Sequence, residues 1–404
     1  MDKRVTLKRV VTLPMLTLYG LGTIIGAGIF VLIGEVAAIA GIYAPLSFLS
    51  ASLIAGFTAF SYAELSSRFP KSAGEAIYLE EAFHKTWLST STGLAGITIG
   101  TISAATITTG SVGYIQVFVD LPAWLIITLL VTALALLASW GISESVGVAA
   151  VTTTISIIGL LVVVLLNSEN LATLPQRLPE MVPPNPEIWG IIVFGAFVAF
   201  YAFIGFEDMI NVAEEVKEPQ CNMPRAIILA LVITTLLYGL VSLTAVVTLP
   251  IHTLAASDAP LTDLIGDERG VIKSIIGIIS ILAIADGILI QIIKTARILY
   301  GMSYQKLLPA VFSTVHPATR TPIFATVIVA TAILMLALTF PLLMLAQLTS
   351  FITLIVFAAI NFSLWRLKLR PETLKNEAFN LPVWMPLIGF MLCLLFVTAQ
   401  LLQI

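Results

Sequence analysis

The chain has 404 residues, of which 58% are hydrophobic and only 11% charged, and its formal net charge is −3. Mean hydropathy is +1.04, whereas soluble proteins carry about 25% charged residues. A water-soluble fold is excluded, because it could not cover this much apolar surface. The chain has no Lys/Arg run that would point to nucleic acid, and Cys221 and Cys393 sit in different surroundings that suggest neither a disulfide nor a metal site.

The apolar residues fall into runs of about 18 to 28, long enough to cross roughly 30 Å of hydrocarbon as helices. Read against Pro, Gly and charged breaks, the predicted spans are 16–40, 44–66, 89–119, 123–140, 145–167, 188–213, 225–249, 271–300, 322–340, 342–365 and 382–402. The expected fold class is therefore an all-α polytopic membrane protein with about 11 transmembrane helices. Span 3, "GLAGITIGTISAATITTGSVG", is rich in Thr, Ser and Gly but carries no charge. Spans 9 and 10 meet at Pro341 with almost no loop.

With the N-terminus in the cytoplasm, 17 of the 20 basic residues collect on the cytoplasmic side, leaving Arg177, Arg269 and Lys273 outside. That is the positive-inside pattern, and it places the C-terminus outside the cell membrane. The basic leader runs directly into a full-length span, so the first span is expected to act as its own insertion signal in place of a cleaved one.

Enzyme signatures are missing from the sequence. His84, His252 and His316 are scattered among loops, no HExxH, GxxxxGK or GxSxG occurs, and "SYQK" at 303–306 matches S-x-x-K without its companion motifs. No cofactor is implied.

Span 1 contains "TIIGAGIF" (23–30), a glycine cluster at mid-depth. By itself Gly22-x-x-x-Gly26 is a helix-packing motif. Span 6, however, holds a second interruption, "FYAFIGFEDMIN" (200–211), in which Gly205 precedes Glu207 and Asp208. Spans 1 and 6 are five apart and so occupy corresponding places in two halves of opposite orientation. Matching interrupted helices in inverted halves point to a transporter's midplane site. Unwinding frees N–H groups for an anion and carbonyls for a cation, which suits a zwitterion.

Four stretches carry a resemblance to a known family: "GTIIGAGIFVLIGEVAAIAG" (22–41), "YAELSSRFPKSAGEAIYLEEAF" (62–83), "FYAFIGFEDMINVAEEVKEPQCNMPRAI" (200–227) and "RILYGMSYQKLLP" (297–309). The sequence resembles the amino acid–polyamine–organocation superfamily, in its branch of cationic amino acid transporters and their bacterial relatives. The resemblance implies the leucine-transporter fold, with alternating access. The first inverted repeat would be residues 16–167 and the second 188–365, with 1–15 a cytoplasmic N-terminus and 382–404 an accessory helix. It also implies that the substrate carboxylate meets the N–H groups of Ala27 and Gly28, shaped by Ile24 and Gly26. The ammonium would meet carbonyls around Tyr201 and Ile204, with Phe203 and Gly205 in the same segment and Tyr201 covering the substrate. Many relatives have Ser or Thr where Ala27 stands, so a hydroxyl contact is missing here.

Coupling is implied to a proton, with sodium as the alternative. Proton-coupled relatives often place a Lys in span 5; here that span has none, and matching by eye puts Gly159 at its place. Asp286 in span 8 falls where sodium-coupled members present Ser or Thr. An intramembrane carboxylate is a functional candidate by default, so Asp286 is the first coupling residue and Glu207 the second. The structural alternatives are that Asp286 pairs with Gln291 or Lys294, and that Glu207 caps free N–H groups. Glu64, Arg68, Glu75, Glu80 and Glu81 are expected in a solvated or gating loop, Glu35 to snorkel at the outer end of span 1, and Lys294 and Arg297 to act as basic anchors.

The implied partners are an amino acid, neutral in preference to cationic, the coupling ion and the lipid bilayer, in a monomer or homodimer. The chain closes on span 11 at Ile404, whereas relatives usually have twelve or more spans, which puts any contact made by a twelfth helix in doubt. Exchange or export remains open beside import, and a channel or membrane enzyme stands as the alternative class.

Overall fold

A computed structural model describes residues 9–26, 28–71, 74–141, 146–370 and 379–403. Its helices are α1 (Leu13–Ile25), α2 (Gly28–Ala40), α3 (Ala44–Arg68), α4 (Gly74–Phe83), α5 (Thr86–Gln116), α6 (Ala123–Trp140) and α7 (Val146–Leu166). Then follow the short α8 (Ser168–Leu171) and α9 (Leu174–Arg177), α10 (Pro186–Phe200), α11 (Pro219–Thr248), the short α12 (Ile251–Ala255) and α13 (Pro260–Asp263), α14 (Gly270–Tyr304), α15 (Ile323–Thr339), α16 (Leu342–Lys368) and α17 (Trp384–Gln403). Each predicted span overlaps at least one of these helices.

Among the described residues, eight helical runs are long and apolar enough to cross a membrane. The 56-residue run Leu13–Arg68 is about 84 Å of helix at 1.5 Å per residue, far more than one crossing needs. Large apolar side chains face outward along these helices, Leu165 on α7 and Leu236 on α11 among them, as expected where lipid replaces water.

The polar span 3 forms the 31-residue α5. Its hydroxyls are satisfied by their own helix: Thr101, Thr106 and Thr108 each donate to the carbonyl four residues back, at 2.7–2.8 Å. That back-bonding lets Thr and Ser sit inside apolar surroundings. α5 packs against α14 and α16, while α3 packs against α10 and α11, and α1 against α7 and α11.

The start of the chain is tied to the second interrupted helix. Val11 pairs with Val216 as an isolated parallel bridge, with Val11 N donating to Glu215 O at 3.0 Å and Lys217 N to Val11 O at 2.9 Å.

The stretch expected to be a solvated loop after span 2 is instead the helix α4, which buries Tyr78, Leu79 and Ala82. Glu64 is fully buried at the end of α3. Its carboxylate accepts from Arg68 and from Lys368 of α16, and from Leu381 N at 2.9 Å. Lys368 also donates to Asn380 Oδ1 at 2.6 Å. Glu64 thus ties α3 to both ends of the segment between α16 and α17. Removing one partner of a buried ion pair strands the other charge, at about 3 to 5 kcal/mol. Lys368→Met should therefore lower the melting temperature in detergent by several degrees, with no comparable loss for the exposed Lys217→Met.

Candidate functional site

Span 1 is broken. α1 stops at Ile25, with Gly26 N still donating to Gly22 O at 3.0 Å, and α2 restarts at Gly28. Ala27 lies outside the described residues. Span 6 is broken as well. After α10 come one 3-10 turn (Tyr201–Phe203), Ile204 in extended conformation, Gly205 at φ +133°, and a ten-residue 3-10 segment, Phe206–Glu215. A 3-10 run of that length inside a span is unusual and marks a hinge or a functional site.

The two breaks meet backbone to backbone. A Cβ on Gly28 would overlap the backbone of Ala202, and one on Gly205 would overlap the carbonyl of Thr23. Gly205 also needs its glycine for the positive φ. Thr23 Oγ1 donates to the carbonyls of Gly205, at 3.0 Å, and Gly20, at 2.9 Å. Tyr238 of α11 donates to Ile24 O at 3.1 Å, taking up a carbonyl released by the end of α1. Glu207 Oε2 accepts from Gly205 N at 2.8 Å, a contact of the kind that the capping alternative describes.

Three separate cavities follow one another along α5. The central one, about 20 Å³, is lined by Thr23, Ile24, Gly28, Ser103, Ile107, Tyr201, Ile204, Gly287, Ile290 and Gln291, and has room for roughly one water. Towards the C-terminal end of α5 lies a cavity of about 590 Å³ with Glu35, Thr109, Gln116 and Asp258 in its wall. Towards the N-terminal end lies one of about 130 Å³, lined among others by Glu75, Thr92, Glu207, Asp208, Lys294 and Thr353.

Of the residues read from the sequence, Ile24, Gly28, Tyr201 and Ile204 come together on the central cavity. The Tyr201 hydroxyl is 3.0 Å from Ser103 Oγ and donates to Ser103 O at 3.1 Å. Gly26 stands behind, against Ala283 and Gly287 of α14, so the glycine cluster also packs helices. Phe203 points away from the cavity, its ring 5.2 Å from that of Tyr238.

The coupling candidates separate. Glu207 faces the smaller outer cavity, where Lys294 pairs with Asp208. Lys294 is thus an internal ion-pair partner instead of a basic anchor, because the unwound span 6 brings a carboxylate within its reach. Glu75 of α4 borders the same cavity and accepts from Tyr62. Burial raises the Glu75 carboxyl above the usual range, with the Tyr62 hydrogen bond and the charge of Lys294 pulling the other way. Asp286 pairs with neither Gln291 nor Lys294. Its Oδ2 accepts from Thr152 of α7 at 2.8 Å. Gly159 faces Ile279 of α14, and Thr153 and Ala149 of α7 meet α1 at Gly22.

Ser103, Ile107, Thr23, Gly287, Ile290 and Gln291 were not read as cavity residues. The polar stripe of span 3 and the glycine of "ADGILIQ" were the available signals, but which helix face turns inward is decided by packing.

The fold defines a multi-pass α-helical membrane protein. A family model described as amino acid permease matches residues 12–403. The chain belongs to that family, in the amino acid–polyamine–organocation superfamily, whose members are transporters and not enzymes. It is similar to the branched-chain amino acid permease BcaP of Bacillus subtilis, at 31% identity over 93% of this chain and 84% of the relative. It is 32% identical to the methylthioribose transporter of Bacillus subtilis, over 98% of this chain and 89% of the relative. With the mitochondrial cationic amino acid transporter 3 of Arabidopsis thaliana it shares 29% identity over 89% of this chain, which spans 62% of the plant protein.

Gly28→Val should abolish transport while the protein still inserts and purifies, since any Cβ there collides with Ala202. Uptake at the unmodified level in that variant would reduce the glycine to helix packing.

Proposed function

We propose that the protein is a secondary active transporter that carries an amino acid across the cytoplasmic membrane by alternating access. The observation that carries this reading is the meeting of two broken helices at one cavity. The N-terminus of α2 offers N–H groups, beginning with Gly28, to the substrate carboxylate. The end of the 3-10 turn Tyr201–Phe203 offers carbonyls to the ammonium. Each is a half-helix end at mid-span, the arrangement that supplies ion contacts without charged side chains.

The two outer cavities support alternating access. The central cavity admits about one water, so it must widen before an amino acid enters and again before it leaves. In this reading residues 16–167 and 188–365 are the inverted repeats, residues 382–404 are an accessory helix, and the N-terminus faces the cytoplasm on the strength of its basic residues.

The substrate is a neutral amino acid. Among the described residues, no acidic side chain lines the central cavity, so a cationic side chain would find no counter-charge there. The names of the relatives span branched-chain and cationic amino acids and a thiosugar, so the superfamily fold leaves the choice to individual side chains.

The proton is the coupling ion, carried first by Asp286 and second by Glu207. Support for Asp286 is its bond to Thr152, which joins α14 to α7 beside α1; support for Glu207 is its place between the break and the Glu75–Asp208–Lys294 cavity.

Purified protein in liposomes should accumulate at least one neutral amino acid when the outside is acid, and a sodium gradient alone should not drive that uptake. Failure to move any amino acid would sink the central claim. Asp286→Asn should cut gradient-driven uptake about tenfold while exchange of labelled for unlabelled substrate continues; full gradient-driven uptake in that variant would remove Asp286 from coupling.

A further inference from the structure

The central cavity holds one polar side chain whose hydrogen-bonding capacity the protein leaves unused. Tyr201 is bonded to Ser103, and the Thr23 hydroxyl is taken up by the carbonyls of Gly20 and Gly205. Gln291 is different. It is 8% exposed, lines the cavity, and its Oε1 is buried without a partner.

Thr295, one turn further along α14, repeats the pattern: it is fully buried and its hydroxyl has no partner. Thr101, Thr106 and Thr108 of the facing α5 return their hydroxyls to their own helix; Thr295 does not. Both groups look across at Gly100 of α5. A Cβ there would fall on the Thr295 hydroxyl and 3.3 Å from Gln291 Oε1. The rest of the cavity wall is largely isoleucine, from Ile24, Ile107, Ile204 and Ile290.

A buried acceptor without a partner is costly, and it favours whichever ligand supplies the missing donor. We infer that Gln291, with Thr295 behind it, is the residue that reads the substrate side chain, and that it selects uncharged side chains ending in a hydrogen-bond donor, hydroxyl above all. This rests on the amino acid transport proposed above and adds to it a reason for choosing among neutral substrates. An apolar wall of isoleucines cannot strongly reject an isostere that adds a hydroxyl, whereas a site built to bond a hydroxyl rejects the analogue that lacks it.

Threonine and valine have nearly the same shape and differ by that donor, so they make the test. In liposomes containing the protein, uptake of a labelled neutral amino acid that it accumulates is the readout, and threonine and valine compete. Threonine should inhibit at a concentration about tenfold or more below that of valine. Gln291→Met, of similar length but without the acceptor, should shift the threonine-to-valine ratio about tenfold toward valine, an effect that a general loss of fold or turnover would not produce. Should that variant fail to insert, Thr295→Val is read in the same way. Valine competing as well as or better than threonine in the unmodified protein overturns the inference and leaves amino acid transport standing. A ratio unmoved in Gln291→Met overturns it too. No uptake of any amino acid would overturn both readings together.

Discussion

The structure depends on one close approach: the two interrupted spans cross with glycine at both contacts, Gly28 at the start of α2 against Ala202 and Gly205 against Thr23 of α1. In a bilayer, backbone polar groups released from a helix have no water to turn to, so irregular backbone survives only where protein or a cavity satisfies it. Here the released groups are distributed. Tyr238 takes the Ile24 carbonyl, Thr23 takes that of Gly205, and Glu207 takes the Gly205 N–H. Thr23 and Glu207 belong to the interrupted spans themselves and Tyr238 to α11, so the breaks are held by each other and by one neighbouring helix.

Charge is placed unequally about that crossing. On one side Glu75, Glu207 and Asp208 share a small cavity with Lys294; on the other, Glu35 and Asp258 border a larger one. The central cavity between them is lined by neutral groups. Carboxylates outnumber the lysine in the smaller cavity, and buried like charges repel strongly in low dielectric. Such a cluster responds to anything that changes its charge, and Glu207 connects it directly to the broken backbone. α5 forms a wall common to all three cavities, which explains why a span so rich in Thr, Ser and Gly is retained as helix.

The spans were legible because a run of about 20 apolar residues has few alternatives, and α6 falls on 123–140 as read. The break in span 6 was legible because a glycine beside two carboxylates has no ordinary reason to stand at mid-span, and that in span 1 because its glycines hold the corresponding place five spans earlier. Less could be read where helix facing decides the outcome. Lys294 looks like a terminal basic anchor until span 6 unwinds and brings Asp208 to it, and Phe203 shares a turn with Tyr201 yet packs on Tyr238. Glu64 looked like a loop residue because its partner Lys368 is about 300 positions away in sequence. Facing along span 5 is hidden for the same reason: Gly159 and Thr153 lie on one helix, and packing turns Gly159 to Ile279 of α14 and Thr153 to Gly22 of α1.

The bridge between Val11 and Val216 has a mechanical meaning. Val11 precedes α1, and Val216 ends the 3-10 segment after Gly205, so the bridge joins the far ends of the two pieces whose near ends meet at the glycines. Linked at both ends, α1 and Phe206–Glu215 form a closed frame. At the bridge end the two pieces are joined by backbone bonds, which no side-chain substitution can remove.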